Sequence, residues 1–195
     1  MNNTIKETKT SARKTTSDRF GSVTKVTTME TKNKGYDLIK ADSSITLEWN
    51  EQEKLIVGGS GRCELGEVRG NLQVMDSAQV TVQSIVGDAW SCHDSSLTAV
   101  SVKGAACSWD DSSLTAQTVD GYARCWDAST LTADSVGSWA ASGGTSTLTA
   151  GSVGGWAASH EDSTLAAVSV KGEAASSRQP GNPAPPAAAV RRALK

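Results

Sequence analysis

A leucine recurs every seventeen residues through the second half of the chain, at Leu97, Leu114, Leu131, Leu148 and Leu165, and the same step backwards reaches Val80 and Cys63. Three further columns keep the period. Val102, Val119, Val136, Val153 and Val170 follow Val68 and Ile85; Ala106, Ala123, Ala140, Ala157 and Ala174 follow Leu72 and Ala89. Glycine fills the third at Gly70, Gly87, Gly104, Gly121, Gly155 and Gly172, with Ser138 as the exception. A unit this short cannot bury a hydrophobic face alone, so it must stack on its neighbours. It is also well short of the roughly 33 to 47 residues that helical-pair repeats need.

Within the unit, S-[ST]-L-T-A-x-[ST]-V-x-G-x-A followed by five variable residues, apolar and small residues alternate with polar ones. Ser95, Leu97 and Ala99 form one alternating run, and Val102, Gly104 and Ala106 a second. The pattern predicts two short strands of period two, joined by a corner, in each unit. One unit is then one turn of an all-β, single-stranded, right-handed β-helix with coils of seventeen residues. Residues 61–176 accommodate six or seven such turns, a rod roughly 30 Å long at about 4.8 Å per turn. The inward columns are expected to be Ser, Leu, Ala, Val, Gly and Ala. With a single Phe in the whole chain, the core has to be narrow and built from small side chains.

The step Ala99-x-x-Val102, repeated at Ala116 and Val119, Ala133 and Val136, Ala150 and Val153, and Ala167 and Val170, resembles the pattern of the bactofilins and related small polymer-forming β-helices of bacteria and their phages. It is similar as well to tandem repeats of the DSSLTA type. The resemblance implies a β-helical fold and a structural, self-assembling role.

Around the repeat, charge is segregated. Residues 1–40 hold nine Lys or Arg against four acids, and 177–195 hold four basic residues and no acid, so 41–176 keep six basic and seventeen acidic residues. An acidic body of −11 therefore lies between arms of +5 and +4. Residues 1–36, polar and without apolar periodicity, are expected to be a disordered basic arm, and 177–195 a Pro- and Ala-rich basic tail. Residues 37–60 carry two apolar runs, Ile45 to Trp49 and Leu55 to Val57, expected to cap the N-terminal end as a hairpin or a divergent first turn. A solenoid leaves an unpaired strand at each end; after Ala175 prolines end the strand pattern, and with no comparable apolar cap the C-terminal end is a candidate surface for end-to-end assembly unless the tail folds back over it.

The start of the chain lacks the apolar segment of a secretory signal and no stretch is apolar enough for a membrane span, so a cytoplasmic location is expected. Cys63, Cys92, Cys107 and Cys125 show neither CxxC pairing nor metal-ligand spacing with histidine and are read as free thiols. No metal, cofactor or small-molecule substrate is expected. His93 and His160 lie in different columns about four turns apart, with no nucleophile motif, which argues against an enzyme.

Outward columns form ladders. Ser96, Ser113, Thr130, Thr147 and Thr164 run beside Thr98, Thr115, Thr132 and Thr149, a flat hydroxyl array that fits ordinary strand propensity and, remotely, an ice-binding face. Tyr122, Trp139 and Trp156 make an aromatic ladder, and Trp109 with Trp126 a shorter one; either could be a partner-binding patch or simple stacking. Asp94, Asp111 and Asp162 share a column beside Asp110, Asp127 and Glu161, an acidic ridge that suits a tight turn or a basic partner. Together these features point to a non-enzymatic scaffold acting through self-association or macromolecular contacts. The alternative is a phage or mobile-element binding module that blocks a host protein through the acidic ridge or the Trp ladder. The partner is expected to be a protein or a second copy, with nucleic acid reached only through the basic arms.

Overall fold

The computed structural model describes residues 54–177, together with the backbone of three earlier strands, β1 (Thr27–Glu30), β2 (Tyr36–Lys40) and β3 (Ile45–Trp49). The remaining residues of the expected arm at 1–36, and those of the tail after Ser177, lie outside the described residues.

Strands then alternate long and short. Seven-residue strands are β5 (Arg62–Val68), β7 (Gln79–Ile85), β9 (Ser96–Val102), β11 (Ser113–Val119), β13 (Thr130–Val136), β15 (Thr147–Val153) and β17 (Thr164–Val170). Between them lie β4 (Lys54–Gly58), β6 (Leu72–Val74), β8 (Ala89–Ser91), β10 (Ala106–Ser108), β12 (Ala123–Cys125), β14 (Ala140–Ser142), β16 (Ala157–His160) and β18 (Ala174–Ser177). The long strands, with β3, form one eight-stranded sheet and the short ones, with β1 and β2, a ten-stranded sheet. Every neighbouring pair from β2 onward is parallel and the repeat sets its register: Leu114 lies on Leu97 and Leu131, Ala123 on Ala106 and Ala140. The chain is a β-solenoid of about seven turns.

The core is the strip between the two sheets. Leu97, Leu114, Leu131, Leu148 and Leu165 are buried, facing the Ala89 to Ala157 column and the Val102 to Val153 column. The expected corner between two runs falls inside the long strand: along β9 the inward residues are Leu97, Ala99 and then Val102, a three-residue step that leaves Val100 outward. The ladder pairing passes over this position, so Ala116 pairs with Ala133 and Thr118 with Ser135 while Gln117 and Asp134 stand at the kink.

The glycine column, expected to point inward, instead forms the half-buried bend between long and short strands. Its amides bond from turn to turn, Gly104 N–H to the Gly87 carbonyl at 3.0 Å and Gly121 N–H to that of Gly104 at 3.1 Å. A Cβ at Gly121 would stand 2.5 Å from the Gly104 carbonyl oxygen, so close stacking of the bends selects glycine here.

A second inward polar column lies among the variable residues. Ser91, Ser108, Cys125, Ser142 and Ser159 are buried opposite Ser95, Ser112, Ser129, Ser146 and Ser163. Ser91 Oγ lies 2.9 Å from Ser95 Oγ and donates to the Ser113 carbonyl, while Ser112 Oγ donates to the Ser91 carbonyl at 2.8 Å. The same links recur one turn on, through Ser108, Ser112 and Ser129. Two hydroxyl columns thus satisfy one another and the carbonyls at the edge of the core, where a polar atom left unpaired would cost about 1–3 kcal/mol.

At the N-terminal end, β3 and β4 do not make a hairpin. They belong to different sheets and pair in parallel with β5 and β6, forming an irregular first turn with a register shift between Leu47 and Trp49. The solenoid therefore reaches back to Tyr36, and β1, inside the segment expected to be without structure, pairs antiparallel with β2.

Candidate interaction surface

The three-residue strands give the ten-stranded sheet an outer face with three rows per turn: the last residue of the bend, the middle residue of the strand and the first residue of the following turn. Each Trp from residue 54 onward lies on it. Trp139 and Trp156 sit in the bend row with Tyr122, Trp90 in the middle row, and Trp109 and Trp126 in the turn row. The opposite sheet presents the Ser and Thr ladders, with Ser113 Oγ 3.1 Å from Ser96 Oγ.

The bend row changes character along the axis. Asn71 and Asp88 each use a side-chain oxygen to accept an amide of the next turn, from Asp88 and Ala105 respectively, both at 2.8 Å. After Ala105 the row becomes aromatic. Tyr122 and Trp139 stack with centroids 4.4 Å apart and planes within 1°, and Trp139 and Trp156 at 5.1 Å and 5°. Burial is the leading cause that raises the Tyr122 hydroxyl pKa. The Trp156 indole, stacked on one side only, remains 45% exposed, and the next place in its row is Glu173.

Trp109 and Trp126 share a column, and of the two readings of that ladder the stacked one is not what the Trp126 ring adopts. The Trp126 ring covers Gly143, where a Cβ would overlap it, and reaches His160 two turns on, at 6.1 Å between centroids. Its indole N–H is buried without a hydrogen-bond partner. Cys107, Ala141 and Ala158, small residues of the middle row close to Trp109, Trp139 and Trp156 in sequence, are themselves buried. Two cations already use the face. Arg124 lies over the Trp126 ring at 4.7 Å and Lys54 over Trp90 at 5.1 Å, the geometry in which a ring's negative face attracts a cation.

The acidic ridge borders the turn row, and half of it answers to backbone geometry. Asp76, His93, Asp110, Asp127 and Glu161 form one column, all with φ between 47° and 60°, joined by Gly59 and Gly144 at φ 98° and 68°. Asp suits this left-handed turn better than most residues. Some of these carboxylates bind the turn beneath: Asp76 accepts the Gly59 amide and Glu161 the Gly144 amide, both at 3.1 Å. His93 Nε2 and Asp110 meet at 4.0 Å. Asp94, Asp111 and Asp162, in the adjacent column, are exposed. The positive-φ column had a legible signal in its Asp-rich spacing; the buried Ser91 to Ser159 column had one in its Ser and Cys identities.

Comparison with protein-family models, with curated proteins and with solved structures finds no match. The surface must therefore be read from its own chemistry. Among the described residues no cluster of His, Cys, Asp and Glu could hold a metal ion, and no helix is long and apolar enough to cross a membrane. The four cysteines are free and buried, and burial is the leading cause that pushes the Cys63 and Cys107 thiols up to about 12.

Proposed function

We propose that this protein is a non-catalytic β-solenoid scaffold that self-associates through the strands at its C-terminal end. The difference between the two ends carries the reading. Among the described residues each sheet has an open strand at both ends, β1 and β3 at the N-terminal end and β17 and β18 at the C-terminal end, but β1 is antiparallel to its neighbour and both N-terminal edge strands carry an acid, Glu30 in β1 and Glu48 in β3. An unpaired strand offers a row of N–H and C=O groups to another chain, and natural proteins usually block such edges with charge, proline or a covering segment. Strand β17, TLAAVSV, carries no charge and exposes Val168 at 66%.

The test is particle mass against protein concentration by light scattering, for the full chain and for Ala166→Lys with Val168→Lys. Concentration-dependent growth that the two lysines suppress is the expected result. Growth unaffected by them would refute the edge as the contact. A monomer at every concentration would favour a binding module instead, a second reading supported by the gathering of every tryptophan of residues 54–177 on one face.

A further inference from the structure

The aromatic face has chemistry that selects its occupant, whether or not the strand ends associate. Its bend row ends at an indole stacked on one side only, with the carboxylate-bearing Glu173 next in line. Asp110, Asp127 and Glu161 run along its other border. A second copy of the face turned end for end would set this acidic border against its own counterpart, which opposes that symmetric contact. A cationic, acid-free segment fits, and Arg124 over Trp126 and Lys54 over Trp90 show that this face holds guanidinium and ammonium groups.

The chain carries such a segment. Residues 178–195, RQPGNPAPPAAAVRRALK, hold Arg178, Arg191, Arg192, Lys195, four prolines and no acid. Proline-rich stretches dock on aromatic-lined surfaces at little entropic cost because they are already extended. The described chain ends at Ser177 in β18, beside His160 of β16, at the edge of this face. In an extended form the segment spans roughly 55 Å, several times the roughly 15 Å from β18 back to the turn of Tyr122.

We propose that residues 178–195 fold back along the aromatic face of their own chain, placing arginine against the open side of Trp156 and the Glu173 carboxylate and prolines against the neighbouring indoles. The segment then acts as an internal occupant that an external basic ligand would have to displace.

The experiment uses the full chain with a nitroxide at Ala188→Cys and isotope-labelled indole N–H groups. The native thiols of Cys63, Cys107 and Cys125 are at most 2% exposed and that of Cys92 is 9% exposed, so the parent chain treated with the same label serves as the control. The proposal expects selective broadening of the Trp139 and Trp156 indole signals, with Trp90 spared, and relief of that broadening by Arg191→Gln with Arg192→Gln. Unchanged Trp90 and Trp109 shifts in these variants establish that the fold is intact. Uniform or absent broadening overturns the proposal, as does broadening that the glutamines leave undiminished. So does equal broadening when the nitroxide and the isotope are carried by different chains, which would assign the contact to a neighbour.

Discussion

Truncating one leucine of the central column tests whether this core behaves as a stack of coupled turns. Leu131 is fully buried, with Leu114 below it and Leu148 above in register, so Leu131→Ala leaves a cavity walled by side chains that the sheets hold in place. Rigid surroundings place the loss toward the upper part of the usual range for Leu→Ala, about 3–5 kcal/mol. Leu165 occupies the same column in the last long strand, with Leu148 beneath and no described strand above. Its turn can open locally while the rest persists, so Leu165→Ala should cost about half as much or less in global stability and act mainly on the fraying of β17 and β18. Urea unfolding read by tryptophan fluorescence gives the global term, and native-state amide exchange along β11, β13, β15 and β17 locates it. Protection should fall across the central turns for Leu131→Ala and only at the end for Leu165→Ala. Equal costs at the two sites, or a loss below about 1 kcal/mol at Leu131, would refute the picture of a stacked, close-packed core.

Two further perturbations address the polar interior and the thiols. Cys125 stands in the buried serine column with its Sγ 3.2 Å from Ser129 Oγ, so Cys125→Ser should leave stability within about 1 kcal/mol of the parent by chemical denaturation. Cys125→Val, which removes the donor, should cost about 1–3 kcal/mol. The Cys63 and Cys107 thiols, raised to about 12 in the folded chain from 9.0, stay protonated where the unfolded chain ionises. Their stabilising contribution is therefore complete below pH 9 and is lost as pH rises from 9 toward 12, at up to about 1.4 kcal/mol per pH unit for each thiol. Replacing both by alanine should flatten the alkaline limb of a stability profile, and an unchanged limb would show that these thiols are not its source.

The architecture was legible because a stacked fold writes its register into the sequence: Leu97 to Leu165 and Ala106 to Ala174 are recognisable as columns from their spacing alone. Three features were less so. The step from Ala99 to Val102 reads equally as a corner between strands or as a kink within one, since periodicity records which side chains point inward and not where backbone pairing pauses. Gly104 and Gly121 keep the alternating phase of an inward residue, but the reason for glycine is the carbonyl of the turn beneath, a contact between residues seventeen apart. Column position alone stacks Trp126 on Trp109; the missing side chain at Gly143 gives its ring a different place to lie. The acidic column at Asp110, Asp127 and Glu161, by contrast, was legible both in its charge and in the fit of Asp to a tight turn, and the left-handed backbone is that turn.

The concentration of aromatic side chains on one sheet follows from the difference in strand length. A seven-residue strand exposes several adjacent outward positions, and along β9 to β15 these are filled largely by Ser and Thr. A three-residue strand exposes only its middle residue, so the bend and turn rows on either side can lean over it. Where the residue at that place is Cys107, Ala141 or Ala158, it is itself buried, with Trp109, Trp139 or Trp156 in the adjacent row. Stacking fixes Tyr122, Trp139 and Trp156 relative to one another, and the register of β12, β14 and β16 fixes the backbone beneath them. These rings are thus ordered before any partner arrives, and an interface built from them would forgo the roughly 0.5–1.5 kcal/mol per side chain that immobilising free rotamers costs. The stiffness of the solenoid is in this sense part of the chemistry of its surface.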